Sequence, residues 1–423
     1  MDQRRPRIKI PKKSKIALVC SGGAAKAGAF HLGVALALKE KGFKFIGGLK
    51  NDPKGDHLTM SDNSSANSAG REIRVYVGSS AGSMICAYLA SGYSLDQIFD
   101  SFLGKKSSTT PDVKLLKRLT YTTMFSLRKD LGLLDTMSML AEGAKLPALS
   151  KFVQRLAKDS YDNLFKWKWL KLSGLFTTAG IERYLREEVL PSNDFESYEA
   201  ELFIVATQLN HSKKVVFGKH KFTSEDKTVA YVNATPISDA CAASTALPLI
   251  FSPWPIKNEK GNTVYYFDGE IRDTLSTHVA YDAGADLIIA SHTHQPYHFS
   301  KEIGSLHQYG MPAIMIQALY LLIERKIQQS IDTQNRHAAA LDAVSIFFKE
   351  HGLPDHQRLH CLELLEKKLG HKSGVDYIHI HPKATDTQMF FGDHFNLSGR
   401  KMSEIVRLGF RCAIDVLRRY EFE

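Results

Sequence analysis

Short apolar runs, each cut off by glycine or polar residues, alternate along this chain with segments whose apolar positions repeat at helical spacing. Ile16 to Cys20 is the first such run. It ends in Ser21-Gly22-Gly23, and from about Ala29 to Lys41 small and apolar residues follow a helical period, so strand, glycine turn and helix are expected in that order. Ile73 to Val77 predicts a second strand, and Met84 to Ala90 a helix of small residues closed by Gly92. Further strands are expected at Leu202 to Ala206, Val215 to Phe217, Val264 to Phe267, Leu287 to Ala290 and Tyr377 to Ile380, and an amphipathic helix at Arg400 to Arg419. Helical segments lie between them, and that alternation argues for an α/β sheet with helices on both faces. No internal repeat or heptad is visible.

Two stretches break the alternation. Residues 47–70, which include SDNSSANSAG, lack a core-forming pattern and read as a mobile surface loop. Residues 103–172 are helical but irregular, with basic residues between apolar ones, and read as an insertion over the core. Within it, Phe165 to Lys171 interleaves Trp167 and Trp169 with three lysines, the composition of a membrane-interface segment and a candidate lid; an ordinary packed helix is the alternative. The longest apolar run, Met311 to Ile323, falls short of the roughly 20 residues a membrane span requires and predicts a buried or interfacial helix.

Composition changes this picture only at its edges. With 43% hydrophobic and 24% charged residues, the chain has an ordinary globular make-up. Its net charge of +10 is concentrated partly in a basic start, residues 1–14, read as a flexible tail. Such a run attracts anions, whether nucleic acid or acidic lipid headgroups. Five scattered cysteines read as buried thiols of a reducing compartment, and the early apolar stretch is too short for a signal peptide.

The candidate chemistry begins at Val75-Tyr76-Val77-Gly78-Ser79-Ser80-Ala81-Gly82, a strand that enters G-x-S-x-G and then a helix. A serine on such a turn is forced into strained backbone, so Gly78 and Gly82 are expected to supply room around Ser80. At the helix start, Ser80 and the N–H of Ala81 are placed where a developing negative charge is favoured. Ser79 and Ser83 lack glycines at both flanking positions. The earlier turn, Ser21 to Gly28, can also aim amides at an anion. A nucleotide phosphate would use the same device, but Walker A and G-x-G-x-x-G spacings are absent. Tyr266-Phe267-Asp268-Gly269-Glu270 ends a strand in an aspartate. His292 with His294, near His298, and His379 with His381 leave open a zinc site or a Ser-Asp-His triad; the latter would make the chain an α/β-hydrolase-like esterase.

In this order, the glycine loop, the serine turn and the aspartate-glycine pair resemble the patatin-like phospholipase family, bacterial type. Phe203 to Thr207, Val215 to Gly218, Ala242 to Pro248 and Gly284 to Asp286 agree with it, as does the late strand at Tyr377 to Pro382. The resemblance implies a three-layer α/β/α sandwich around a mainly parallel sheet with a helical lid insertion. It would be one domain over 15–423, completed by a mainly helical part at 293–423. It implies a lipid acyl hydrolase of phospholipase A or lysophospholipase type with Ser80 as nucleophile and Asp268 as base. The backbone of Gly22, Gly23 and Ala24 would form the oxyanion loop, supported by Lys26 and Gly28. No cofactor or metal is implied. The implied partners are a phospholipid or lysophospholipid and an anionic membrane surface rather than nucleic acid, with a homo-oligomer left open. The expected location is cytoplasmic and peripheral to the membrane, with delivery as a secreted effector as an alternative. Two departures stand out: Ala24 replaces the family's third loop glycine and Ala27 separates Lys26 from Gly28, while the family's D-G-G or D-G-A is D-G-E here. A membrane-associated binding protein with weakened catalysis is therefore the competing expectation. Acyl transfer to an alcohol would use the same residues.

Overall fold

The computed structural model describes residues 7–50, 71–105, 115–127, 176–220, 222, 227–248, 250–272, 274–371, 373–391 and 395–423. The first six residues, most of the 47–70 loop and most of the 103–172 insertion, with Trp167 and Trp169, lie outside them.

The strands are β1 (Ile8–Ile10), β2 (Ile16–Cys20), β3 (Lys44–Phe45), β4 (Glu72–Ser79), β5 (Ser126–Leu127), β6 (Phe176–Thr177) and β7 (Glu201–Gln208). They continue with β8 (Lys214–Gly218), β9 (Val229–Val232), β10 (Trp254–Lys257), β11 (Thr263–Asp268), β12 (Leu287–Ser291), β13 (Asp376–Ile380) and β14 (Tyr420–Phe422). The helices are α1 (Ala24–Glu40), α2 (Ala81–Ala90), α3 (Leu95–Leu103), α4 (Tyr121–Met124), α5 (Ala179–Tyr184) and α6 (Ile237–Ser244). After these come α7 (Thr277–Asp282), α8 (Gly310–Glu350), α9 (Asp355–Leu369), α10 (Gln388–Phe391) and α11 (Gly399–Leu417).

The central sheet runs β10-β11-β7-β4-β2-β12-β13, with β3 beside β4 and β8 linking β7 to β9. Its middle is parallel from β7 through β13; β8 and β11 pair antiparallel with β7, and β10 antiparallel with β11. A parallel strand covered on both faces needs an apolar residue at every position. The run Ile16 to Cys20 meets that need: Ile16, Leu18 and Cys20 pack into one core with α1, α2 and α11, while Ala17 and Val19 join a second core with α7 and part of α8. The result is the three-layer arrangement of helices, mostly parallel sheet and helices.

Sequence pattern leaves some features out. The edge strand β10 contains Pro255, which an edge tolerates because one side of it has no ladder to complete. The run Met311 to Ile323 is only the start of α8, which continues through 41 residues to Glu350. Helix α1 is buried nearly all round because α11 lies across it. At their crossing the backbones nearly touch. A first side-chain carbon on Gly409 would stand 2.2 Å from the Phe30 carbonyl oxygen, and one on Gly33 would stand 2.0 Å from that of Val406.

Gly409→Ala should therefore lower stability by about 1–3 kcal/mol, the range for overpacking a well-filled core. Urea denaturation reads this as an earlier midpoint; an unchanged midpoint would mean that the helices do not cross so closely.

Candidate active site

Strand β4 delivers the chain to Ser80, whose backbone sits at φ 51 and ψ −125 before α2 begins. A non-glycine residue in that region carries strain of about 1–3 kcal/mol, so its surroundings must hold it there. The Ser80 N–H donates to Ser244 Oγ at 2.8 Å, and Ser244 donates in turn to the Val205 carbonyl at 2.6 Å. On the other side, the Ser83 hydroxyl and N–H donate to the Ser80 carbonyl at 2.6 and 2.9 Å. The flanking glycines have a steric reason. A side-chain carbon at Gly78 would come within 2.5 Å of Ser83 Cα, and one at Gly82 within 2.3 Å of the Cys20 carbonyl oxygen.

Asp268 is the last residue of β11, which pairs with β7 so that Asp268 faces Ala206. Ser79 faces Val205 across the other edge of β7. One strand thus holds the serine turn on one side and the aspartate on the other. Asp268 is buried, and burial pushes its carboxyl from the usual 3.8 up to about 6; a hydrogen bond from the Ser80 side chain and another from the Glu270 N–H, at 2.9 Å, pull the other way. No histidine is among the groups acting on it among the described residues.

The glycine loop is anchored from behind. The Thr293 hydroxyl donates to the Gly22 carbonyl at 2.8 Å, and His31 bridges Ser21 to Ser291. Because the Ser21 carbonyl at 2.8 Å can only accept, His31 Nε2 carries the proton and Nδ1, 2.7 Å from Ser291 Oγ, accepts. Burial lowers the His31 pKa to about 4, so the ring stays neutral. Gly23 precedes α1 at φ 128, and Ala24 follows at φ 59, a left-handed conformation for a residue with a side chain. Here the alanine occupies backbone that glycine would adopt without strain. Gly23, Ala24, Gly28 and Ala81 line the same cavity as Ser80 and Asp268, and the free N–H groups of two helix starts lie along that wall. Gly22 packs against Ser80, its missing side chain leaving room for Ser80 Cβ and Glu270 Cγ. Lys26 turns elsewhere. Its buried ammonium donates to the Met389 carbonyl and lies 5.8 Å from the centre of the Tyr320 ring, tying α1 to α10 and α8.

The cavity has a volume of about 900 Å3, near the top of the roughly 300–1,000 Å3 range of small-molecule sites. Its walls are mainly apolar, with Met84, Ile85, Leu119, Ile181, Phe390 and Phe395 among them. Glu270 and His294 also line it, with His294 Nδ1 3.8 Å from Glu270 Oε2, and His294 meets the Tyr320 ring edge-on. The two histidine clusters meet where His292 stacks on His381 with ring centres 4.7 Å apart. Burial holds His292 and His379 well below the usual histidine pKa. No group of three metal-ligating side chains occurs among the described residues.

His31, Ser244, Ser291 and Thr293 escape sequence reasoning. His31 sits in a helix of small apolar residues and offers no motif. Ser244 belongs to the Ala242 to Pro248 stretch, whose spacing alone does not reveal that its hydroxyl holds the serine turn.

A family model described as patatin-like phospholipase matches residues 18–281. A search of curated proteins finds no match. Among solved structures, the chain is similar to the crystal structure of VipD from Legionella pneumophila, at 15% identity and a TM-score of 0.35, over 96% of this chain and 67% of that one. That likeness is too distant to carry an argument. The family match, which begins inside β2, ends within α7 and spans more than half of the chain, places this protein in the patatin-like phospholipase family.

Proposed function

We propose that the chain hydrolyses acyl esters of phospholipids or lysophospholipids with Ser80 as nucleophile and Asp268 as its base. The observation that carries this reading is the meeting of a strained serine and a buried aspartate in an apolar cavity large enough for a lipid chain.

A carboxylate is a weak base toward a hydroxyl, so the proton leaves Ser80 as the acyl carbon is attacked, not before. Burial of Asp268 narrows the mismatch. The ester carbonyl oxygen gathers negative charge as the Ser80 oxygen bonds to carbon, and we assign the amides of Ala81 and of the Gly22-Gly23-Ala24 loop to receive it. A single such donor typically lowers the barrier by about 2.7–4 kcal/mol. Collapse breaks the bond to the alcohol oxygen, which takes the proton from Asp268 and departs as lysolipid or glycerophosphoalcohol. Water then gives a proton to Asp268 as its oxygen attacks the acyl-Ser80 ester, and when the acyl–Ser80 bond breaks the Ser80 oxygen takes that proton back from Asp268 and the fatty acid is released. We also read residues 15–423 as one domain, because Ile16 and Leu417 share a single core.

Glu270 favours a second reading, a lipid-binding protein of low activity. Its side chain packs beside Gly22 and Ser80, where an ionised carboxylate would oppose charge on the tetrahedral oxygen. A fluorophosphonate probe separates the two. Labelling of the wild type that vanishes in Ser80→Ala supports the hydrolase, and an unlabelled wild type supports the binding protein.

Activity should depend on pH through Asp268. As the base it works ionised, so kcat/KM should fall as pH drops through about 6, and Asp268→Asn should lose activity at least about a hundredfold at pH 8, with the gap to the wild type narrowing as pH falls below 6. The same residue affects stability with opposite sign. A carboxyl whose pKa rises on folding favours the folded state below 3.8, and that contribution is lost as pH climbs through about 6. Asp268→Asn should thus be more stable than the wild type at pH 8, by on the order of 2 kcal/mol, with the difference shrinking toward pH 4. Thermal melts across that interval check this; a variant less stable at pH 8 would show that Asp268 is not buried at a cost.

A further inference from the structure

The start of α8 is apolar on both of its faces, which a helix at a water-exposed surface does not sustain. Its inner face, with Ala313, Ile316, Tyr320 and Ile323, forms part of the cavity wall that holds Ser80 and Asp268. Its outer face carries Met311, Ile314 and Met315, exposed at 49%, 43% and 60%. Leu319 and Leu322 belong to both, lining the cavity while remaining 42% and 62% exposed. The one amide in this stretch, Gln317, is turned inward, where it donates to the Tyr297 carbonyl at 2.9 Å and accepts from the Tyr297 N–H at 2.8 Å. Charge returns one turn later with exposed Arg325 and Lys326.

From this arrangement we infer that the outer face of α8 from Met311 to Leu322 is the surface by which the protein docks on a lipid bilayer, bringing the cavity mouth against the membrane. The inference rests on the lipid-hydrolase reading for its purpose. Two observations select a bilayer as the occupant. The exposed stripe is continuous with the cavity through Leu319 and Leu322, so an acyl chain leaving the bilayer there crosses apolar surface rather than water. Arg325, exposed just past the stripe, stands where headgroup phosphates lie when a helix rests in the interface, while Lys326 donates to the Ile271 and Arg272 carbonyls at the cavity rim. No helix among the described residues is long and apolar enough to cross a membrane.

The test uses the full chain with Met311, Ile314 and Met315 all changed to Gln, a substitution that keeps helix propensity and touches no cavity-lining position. Flotation with phosphatidylcholine vesicles containing phosphatidylserine should show binding weakened by at least about tenfold, with hydrolysis of vesicle lipid falling in parallel. Hydrolysis of a short-chain ester dispersed as monomers should stay at the wild-type rate, which also shows that the variant folds. A second variant, Ile346→Gln with Phe347→Gln, removes equally exposed apolar side chains from the far end of the same helix and should bind vesicles like the wild type. Unchanged flotation of the triple variant overturns the inference, as does an equal loss in the distal variant. A wild-type dimer that the triple substitution dissociates in sedimentation velocity also overturns it, by showing that a second copy covers the face. If the wild type cleaves neither vesicle lipid nor dispersed ester, the hydrolase reading fails, while flotation still decides the docking surface.

Discussion

Everything at the site depends on how β7 is paired. It runs parallel to β4 on one side and antiparallel to β11 on the other, and because β4 ends beside Val205 while β11 stops after three pairs beside Ala206, the ends of those two strands meet across it. Ser80 and Asp268, far apart in sequence, become neighbours because Val205 and Ala206 are. A one-residue slip of β11 against β7 would point the aspartate to the opposite face of the sheet, and a slip of β4 would displace the serine turn. The register is held by burial on both faces of β7, whose interior residues Leu202 to Thr207 are all enclosed.

Strain and support are distributed around that edge in a consistent way. Ser80 is held at positive φ by Ser244 and Ser83, and the Gly22 carbonyl is fixed by Thr293 while His31 steadies the residue before it. These contacts come from four different elements, so the site is a product of the whole sheet rather than of one loop. Asp268 adds the energetic cost that a functional site commonly carries: it is buried where its ionised form is least comfortable, which in the proposed mechanism raises its basicity.

Much of the framework was legible in the sequence because both-face burial writes itself as uninterrupted apolar runs. Ile16 to Cys20, Leu202 to Ala206 and Leu287 to Ala290 are strands for that reason, and Gly78 and Gly82 mark a turn whose tightness the sequence states directly. Orientation was not legible, since Val264 to Phe267 reads the same whether β11 runs parallel or antiparallel to β7. Nor were the anchors. His31 looks like a polar interruption of an apolar helix, and only the sheet brings Ser21 and Ser291 to its two nitrogens. The extent of α8 was hidden as well, because its apolar start and its polar remainder read as separate segments although one helix continues through both.

The most direct test of the account is to catch the acyl group on the enzyme. Wild-type protein mixed with a phosphatidylcholine of defined chains, quenched in acid within the first turnover and digested, should yield the peptide containing Ser80 heavier by one acyl group. An acyl group found on any other side chain would contradict the account.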